Sequence, residues 1–243
     1  MHKLIWVGMA GLLILSGCAA RGVLTDSPSL ELRELVARQE TEAQSFAALV
    51  RVKAQRDGKF DDFRVEVFSA APAHTSLYLR GFLGQAVLKA VISGDSLTAY
   101  FPRENRFFHG SRSDLDAGEL QQSAHVIDAL LALLRGTILL PDTAHWQVDY
   151  RQSKNLLRQQ AIDRDHELAL NARIGIDAKH TPPLEPDEAE LVSRDGQFRA
   201  RLFFQSVSFN RDIPAAKFTL EIPPTATAVS RDEVVELLTG MSQ

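Results

Sequence analysis

The stretch Phe46-Ala-Ala-Leu-Val50-Arg-Val-Lys-Ala-Gln55-Arg-Asp-Gly-Lys-Phe60-Asp-Asp-Phe-Arg-Val65-Glu-Val67 reads with a period of two. Phe46, Ala48, Val50, Val52 and Ala54 alternate with Arg51, Lys53 and Gln55. Past a turn, Phe63, Val65 and Val67 alternate with Asp62, Arg64 and Glu66. Successive side chains of a strand point to opposite faces, so each run has one apolar and one polar side. Asp57-Gly58 between them is a dipeptide that tight hairpins favour, because it tolerates positive φ. The stretch therefore predicts an antiparallel hairpin with one buried and one wet face.

The same alternation extends outward. Strand-like stretches fall near 75–82, 85–93, 95–101 and 105–109, and again near 144–151, 154–161, 166–174, 189–194, 197–209 and 216–222. Ser93-Gly94-Asp95 and Asp195-Gly196 mark further turns. Strands at this spacing without intervening helices predict an antiparallel sheet or barrel rather than βαβ units. Three helices are expected. Ser27-Pro28 resembles an N-cap followed by proline at the first helical position, opening a helix over roughly 28–44 with Leu32, Leu35, Val36 and Ala43 at helical spacing. Asp116-Ala-Gly-Glu119 resembles a capping box, followed by Leu120, Ile127, Leu130, Leu131 and Leu134 and stopped at Arg135-Gly136. Its apolar face is too broad for a helix resting on a surface. It is either a core-packing helix or a movable plug over a cavity. A last short helix follows Ser230, over about 230–239. The fold class is mainly β with a few helices. With no internal repeat and no second boundary, 28–243 reads as a single domain.

Composition narrows the function classes. The chain has 27 basic against 31 acidic residues and a net charge of −4, which argues against a nucleic-acid partner. Its one cysteine, Cys18, excludes intrachain disulfides and Cys-rich zinc sites. Lys3 is followed by the apolar run Leu4–Leu15, the length of a secretory signal core and short of the ~20 residues a membrane-spanning helix needs. Leu15-Ser16-Gly17-Cys18 then resembles a bacterial lipobox. The resemblance implies a signal peptide over 1–17, cleavage before Cys18 and covalent lipid on that cysteine, with 18–27 as a tether. Several acyl chains give stable anchoring. Asp directly after such a cysteine resembles an inner-membrane retention signal. Here the residue is Ala19, which implies outer-membrane sorting, lipid-anchored on the periplasmic face. No cofactor is expected beyond the lipid on Cys18.

Motifs for chemistry are mostly absent. Gly94-Asp95-Ser96-Leu97, preceded by Ala90-Val91-Ile92, spells the signature of the GDSL lipases and esterases. Asp142-Thr-Ala-His145 and Asp163-Arg-Asp-His166 resemble that family's Asp-x-x-His block. That family, however, has an α/β fold whose nucleophile opens a helix, whereas Leu97-Thr-Ala-Tyr-Phe101 continues as a strand. The family's Gly-x-Asn-Asp block is missing, and both histidine matches sit mid-chain. No catalytic residue is assigned, and the chain reads as a non-enzyme. His74, His109, His125 and His180 are scattered without metal-ligand spacing, so no metal is expected. Arg151, Lys154 and Arg158 fall on strand alternates, where a solvated face is the default reading.

Residues 46–110 resemble the outer-membrane lipoprotein receptor family LolB and its LolA-fold relatives. The resemblance lies in Leu77-Tyr-Leu-Arg-Gly-Phe-Leu-Gly-Gln-Ala-Val-Leu-Lys89, then Gly94-Asp-Ser-Leu-Thr-Ala-Tyr-Phe-Pro-Arg-Glu-Asn-Arg-Phe-Phe-His-Gly110. The helix over 119–135 with Leu139-Leu140-Pro141, and the closing strand Phe218-Thr-Leu-Glu-Ile-Pro-Pro224, also fit the family's order of elements. The resemblance implies an unclosed antiparallel β-barrel, a LolA-like half-barrel with helices covering its concave face. It implies a hydrophobic cavity for the acyl chains of lipoproteins or other lipids. The candidate lining is Val50, Val52, Val65, Val67, Leu79, Ile127, Leu131, Trp146, Leu168, Leu170, Leu202 and Phe204. It also implies the outer membrane and a soluble periplasmic LolA-like carrier as partners. In LolB an apolar Leu before Gly protrudes and assists membrane insertion. Phe82-Leu83-Gly84 occupies that place, with Leu83 the match and Phe82 a helper. The turn departs from the family at Gly81-Phe82, and packing of both apolar residues inside the hairpin is the alternative. An envelope assembly lipoprotein that keeps this scaffold to bind a protein partner is the alternative function.

Overall fold

The computed structural model describes residues 34, 37–39, 41–56, 58–70, 74–81, 83–111, 114, 146–153, 156–163, 168–175 and 185–240. The opening hairpin forms as its alternation predicts. Strand β1 (Ser45–Arg56) pairs antiparallel with β2 (Lys59–Ala70), placing Ala48 opposite Val67, Val50 opposite Val65 and Val52 opposite Phe63. Gly58 takes a φ of +78°, the left-handed conformation the tight turn requires. Strands β3 (His74–Arg80), β4 (Ala86–Ser93), β5 (Ser96–Phe101) and β6 (Arg106–Ser111) continue the meander on one side. On the other side lie β7 (Trp146–Ser153), β8 (Leu156–Asp163), β9 (Leu168–Gly175), β10 (Glu185–Ser193) and β11 (Phe198–Phe209). A two-residue strand, β12 (Thr227–Ala228), pairs parallel with β6.

One sheet holds all of them, in the order β12-β6-β5-β4-β3-β2-β1-β11-β10-β9-β8-β7. Among the described residues its two outer strands do not pair with each other, so the sheet is unclosed. The expected mainly-β, unclosed antiparallel architecture is therefore what the chain adopts. Bulges interrupt the ladder at Leu49/Val50 against β11, at Leu79/Arg80 and at Pro186/Glu188. Such insertions bend a strand and increase its twist.

The alternation becomes two faces. The apolar face carries a cluster that includes Phe46, Val50, Val67, Leu157, Leu170, Ile174 and Leu202, drawn from β1, β2 and β8–β11. A second cluster on β4–β6 contains Ile92, Leu97, Phe101 and Phe108, and Val234 and Leu237 of the C-terminal helix Arg231–Gly240 pack on it. Fully burying one such side chain contributes roughly 1.5–3 kcal/mol.

The expected strand over 216–222 is not one. Residues Ala215–Phe218 form a 3-10 turn, and the chain then runs irregularly to the Pro223–Pro224 turn. The segment lies across the polar face rather than along its edge. The Tyr78 hydroxyl donates to the Lys217 carbonyl at 2.9 Å, and the Lys217 ammonium sits 4.6 Å above the Phe68 ring. Burial pushes the Tyr78 hydroxyl pKa up. Phe218, Leu220 and Ile222 face Val91, Thr98, Phe107 and His109 across a groove of about 350 Å³. The chain then rounds the sheet edge. Asn105 Nδ2 donates to the Thr225 carbonyl at 3.0 Å, and the Val229 N–H donates to the Phe107 carbonyl at 2.8 Å. Ser230 caps the terminal helix on the opposite face. Its N–H donates to Glu233 Oε2 at 2.9 Å, and the Glu233 N–H returns to Ser230 Oγ at 3.4 Å.

Strand β10 starts earlier than the expected 189, at Glu185, because the bulge beside Pro186 accommodates a residue with no N–H to give the ladder. Residues 34, 37–39, 41 and 42 are helical, within the expected 28–44. The helix expected over 119–135 lies outside the described residues.

Candidate functional site

Strand register gathers most of the expected lining onto one face. Val50 is flanked by Val65 on β2 and Phe204 on β11, and Val52 stands opposite Leu202. Val65 stands opposite Leu79 on β3, and Leu170 lies between Ala161 and Leu191. Val50, Val67, Leu170 and Leu202 are buried, whereas Val52, Val65, Leu79 and Phe204 are half-buried. An apolar strip thus runs across β9, β10, β11, β1, β2 and β3. Trp146 stands opposite Asp163 and Leu168 opposite Ser193 in the register, and their side chains lie outside the described residues. Ile127, Leu131, Phe82 and Cys18 also lie outside them.

The turn between β3 and β4 is built by two glycines. The Gly81 N–H donates to the Gln85 carbonyl and the Gly84 N–H to the Gly81 carbonyl, each at 2.9 Å. Gly84 has a φ of +80°. A Cβ on Gly81 would sit 2.6 Å from the side-chain amide nitrogen of Gln85, the end of an exposed side chain that can swing aside. Leu83, between them, is 85% exposed. It does not pack inside the hairpin.

Phe60 is a second exposed large hydrophobic residue, at 77%. It belongs to the β1–β2 hairpin. Because Arg64 on β2 stands opposite Arg80 on β3, Phe60 and the β3–β4 turn project from the same end of the sheet. Sequence reading passes over Phe60. Its one signal is an aromatic at the turn end of the alternate that continues with Asp62, Arg64 and Glu66. Beside it, Arg51 Nε donates to both Asp62 oxygens at 3.0 and 3.1 Å, which holds the Asp62 carboxyl below the usual carboxylate range.

The GDSL signature forms no triad in the described residues. Ser96 opens β5 opposite Ser93 and Ser111, and the Asp95 carboxylate accepts a bond from Ser111 Oγ at 2.5 Å. His74 and His109 engage Ser93 and Thr98 instead, at 3.1 and 2.8 Å. His145 and His166 lie outside the described residues. Among the described residues no group of three or more His, Cys, Asp or Glu could hold a metal, and no helix is long and apolar enough to cross a membrane.

No family model and no curated protein matches the chain. Similar solved structures include an uncharacterized conserved protein from Thermus thermophilus, at 13% identity and a TM-score of 0.48, covering 81% of this chain and 97% of that one. A DUF1329 family protein from Desulfovibrio piger has 11% identity and a TM-score of 0.46, over 79% of this chain and 98% of that one. The LolA superfamily protein NE2245 from Nitrosomonas europaea has 14% identity and a TM-score of 0.38, over 79% and 99%. The fold class stated above rests on this chain's own strand order.

Proposed function

We propose that this protein is a lipid-anchored outer-membrane lipoprotein that holds the acyl chains of lipoproteins, or of other lipids, against the apolar face of its open sheet and delivers them to the membrane. The observation that carries the reading is Leu83. The residue matched to the family's insertion residue stands 85% exposed on a turn that glycines shape. An unclosed sheet with one continuous apolar face offers area for a guest chain, and transfer follows relative burial at ~25 cal/mol per Å². No bond is made or broken, so the function needs no catalytic residue. Lipid on Cys18 would fix the protein at the bilayer that Leu83 enters. A soluble periplasmic LolA-like carrier is the proposed donor of cargo.

The test is mass spectrometry of the protein extracted from its native membrane. Co-purifying acyl lipid or acylated lipoprotein supports the reading. A lipid-free protein in stable complex with another envelope protein overturns it in favour of the assembly scaffold.

A further inference from the structure

The polar face holds a charge arrangement that the lipid-carrier reading does not use. Arg151 on β7 stands directly opposite Arg158 on β8, and Arg158 directly opposite Arg173 on β9. Neighbouring strands are about 4.8 Å apart, so three guanidinium-bearing side chains rise side by side from one row of the sheet. Like charges placed directly opposite destabilise a sheet. In the sequence Arg151 and Arg158 are ordinary solvated alternates; only the register shows that they face one another.

A second row makes the comparison. Arg51, Arg64 and Arg80 are also opposed across β1, β2 and β3. There the two outer arginines carry internal counter-charges, Asp62 on Arg51 and Glu66 on Arg80 at 3.0 Å. In the first row only Arg173 is neutralised, by Asp187 at 3.0 Å and Glu188 at 3.1 Å. Glu190 is taken by Arg201 at 2.8 Å and Arg199 at 3.6 Å. Arg151 and Arg158 are exposed and have no ion pair among the described residues. They line an open groove of about 520 Å³ together with Gln160 and Asn171, whose amides stand opposite each other in the next row, and with Glu188 and Glu190, whose carboxylates are the ones already paired with Arg173 and with Arg199 and Arg201.

We infer that this groove is a binding site for a phosphate monoester. Two uncompensated guanidinium forks supply two positive charges at one place, and a phosphate monoester carries about −1.5 to −2 near neutral pH with three acceptor oxygens. A single carboxylate is satisfied by one fork and leaves the other arginine opposed and unpaired. The neighbouring amides offer further N–H donors. The groove's volume falls in the range of small-ligand sites, about 300–1,000 Å³, which suits a head group rather than a folded partner. The shared chemistry is the phosphate monoester, whether on a soluble metabolite or on a lipid head group. The inference is independent of the acyl-chain reading, because the groove lies on the opposite face of the sheet.

The test uses the full chain and isothermal titration with glycerol 3-phosphate, dioctanoyl phosphatidic acid, dioctanoyl phosphatidylcholine and a glutamate-rich peptide. Binding of the first identifies a soluble source. Binding of phosphatidic acid alone, well above phosphatidylcholine, identifies a lipid one. Arg158→Gln and Arg151→Gln should each weaken that binding by about tenfold or more, as expected for loss of a charge-assisted contact. Arg64→Gln, which relieves the other opposed row, should leave it unchanged. Without ligand, Arg158→Gln should melt no lower than the parent, which separates lost binding from lost folding. The inference is overturned if neither phosphate compound binds, if the peptide binds more tightly than both, or if Arg64→Gln weakens binding as much as Arg158→Gln.

Discussion

Replacing Leu83 by glutamate isolates the membrane step of the proposed function. Leu83 is 85% exposed, so nearly the whole side chain is available for transfer from water into acyl chains. Full burial of a leucine is worth about 2 kcal/mol, or a factor of roughly 30 in an equilibrium between bilayer-engaged and free turn. Glutamate forfeits that gain and adds the cost of taking a carboxylate into an apolar medium, so roughly 30-fold is a lower bound. The fold should not respond. The turn is set by Gly81, Gly84 and the Gln85 carbonyl, none of which the substitution touches. Exposed positions of this kind usually change stability by less than about 0.5 kcal/mol, a shift of one to two degrees in a domain of this size. The assay loads anchored protein with a radiolabelled acylated lipoprotein and follows its transfer into outer-membrane vesicles, with melting temperature measured in parallel. Leu83→Glu should retain cargo and transfer it more slowly by roughly 30-fold or more, and Leu83→Met should transfer normally. Unchanged transfer by Leu83→Glu refutes the insertion role. A melting temperature lowered by more than about 5 °C refutes the premise that the side chain is free.

Further outcomes follow from packing and backbone. Phe101 is wholly buried in the β4–β6 cluster, so Phe101→Ala should cost about 3–5 kcal/mol, read as a lowered denaturation midpoint. Gly84→Ala keeps Leu83 but forces a Cβ onto a φ of +80°, and should destabilise by about 1 kcal/mol in chemical denaturation. Ser230→Ala removes the cap of the terminal helix and should cost about 1 kcal/mol, with faster amide exchange over 231–240. The hydrogen bonds from Ser230 hold the Glu233 carboxyl below the usual carboxylate range. Its contribution is therefore complete at neutral pH and fades as pH falls below about 4.5 and through its lowered value. Acid should speed exchange in the parent helix and change the Ser230→Ala variant less.

The strands are legible wherever apolar and polar residues alternate, because burying one face makes the period unambiguous. The same rule misleads at Phe218, Leu220 and Ile222. Their spacing is that of a strand, but they are half-buried beside a groove whose other wall is Val91 and Phe107 of the sheet, and periodicity cannot distinguish the two. At Pro186 the missing N–H argues for a strand end, and a bulge absorbs it instead. Strand β12 has two residues and owes its existence to the neighbouring Asn105 turn, so no local pattern announces it. For the site, Leu83 is singled out only through the resemblance of Phe82-Leu83-Gly84 to the LolB turn, whereas Phe60 is masked by membership in a regular strand. The arginine row cannot be read from sequence at all. Residues 151, 158 and 173 become neighbours only once three strand registers are fixed.

The pairing of β1 with β11 sets an order of events in the life of the chain. Among the described residues every other antiparallel pair joins strands that follow one another in the sequence, while this seam brings Phe46 opposite Phe209. As the chain is synthesised from its N-terminus, the β1–β6 meander can form early, yet β1 must present one ladder edge unsatisfied until β11 has been made. Distant pairings of this kind are slow to form and expose an edge in the meantime. Closing this seam late makes a final step of sheet assembly depend on two strands far apart in the chain, unlike a sheet that grows strand by strand.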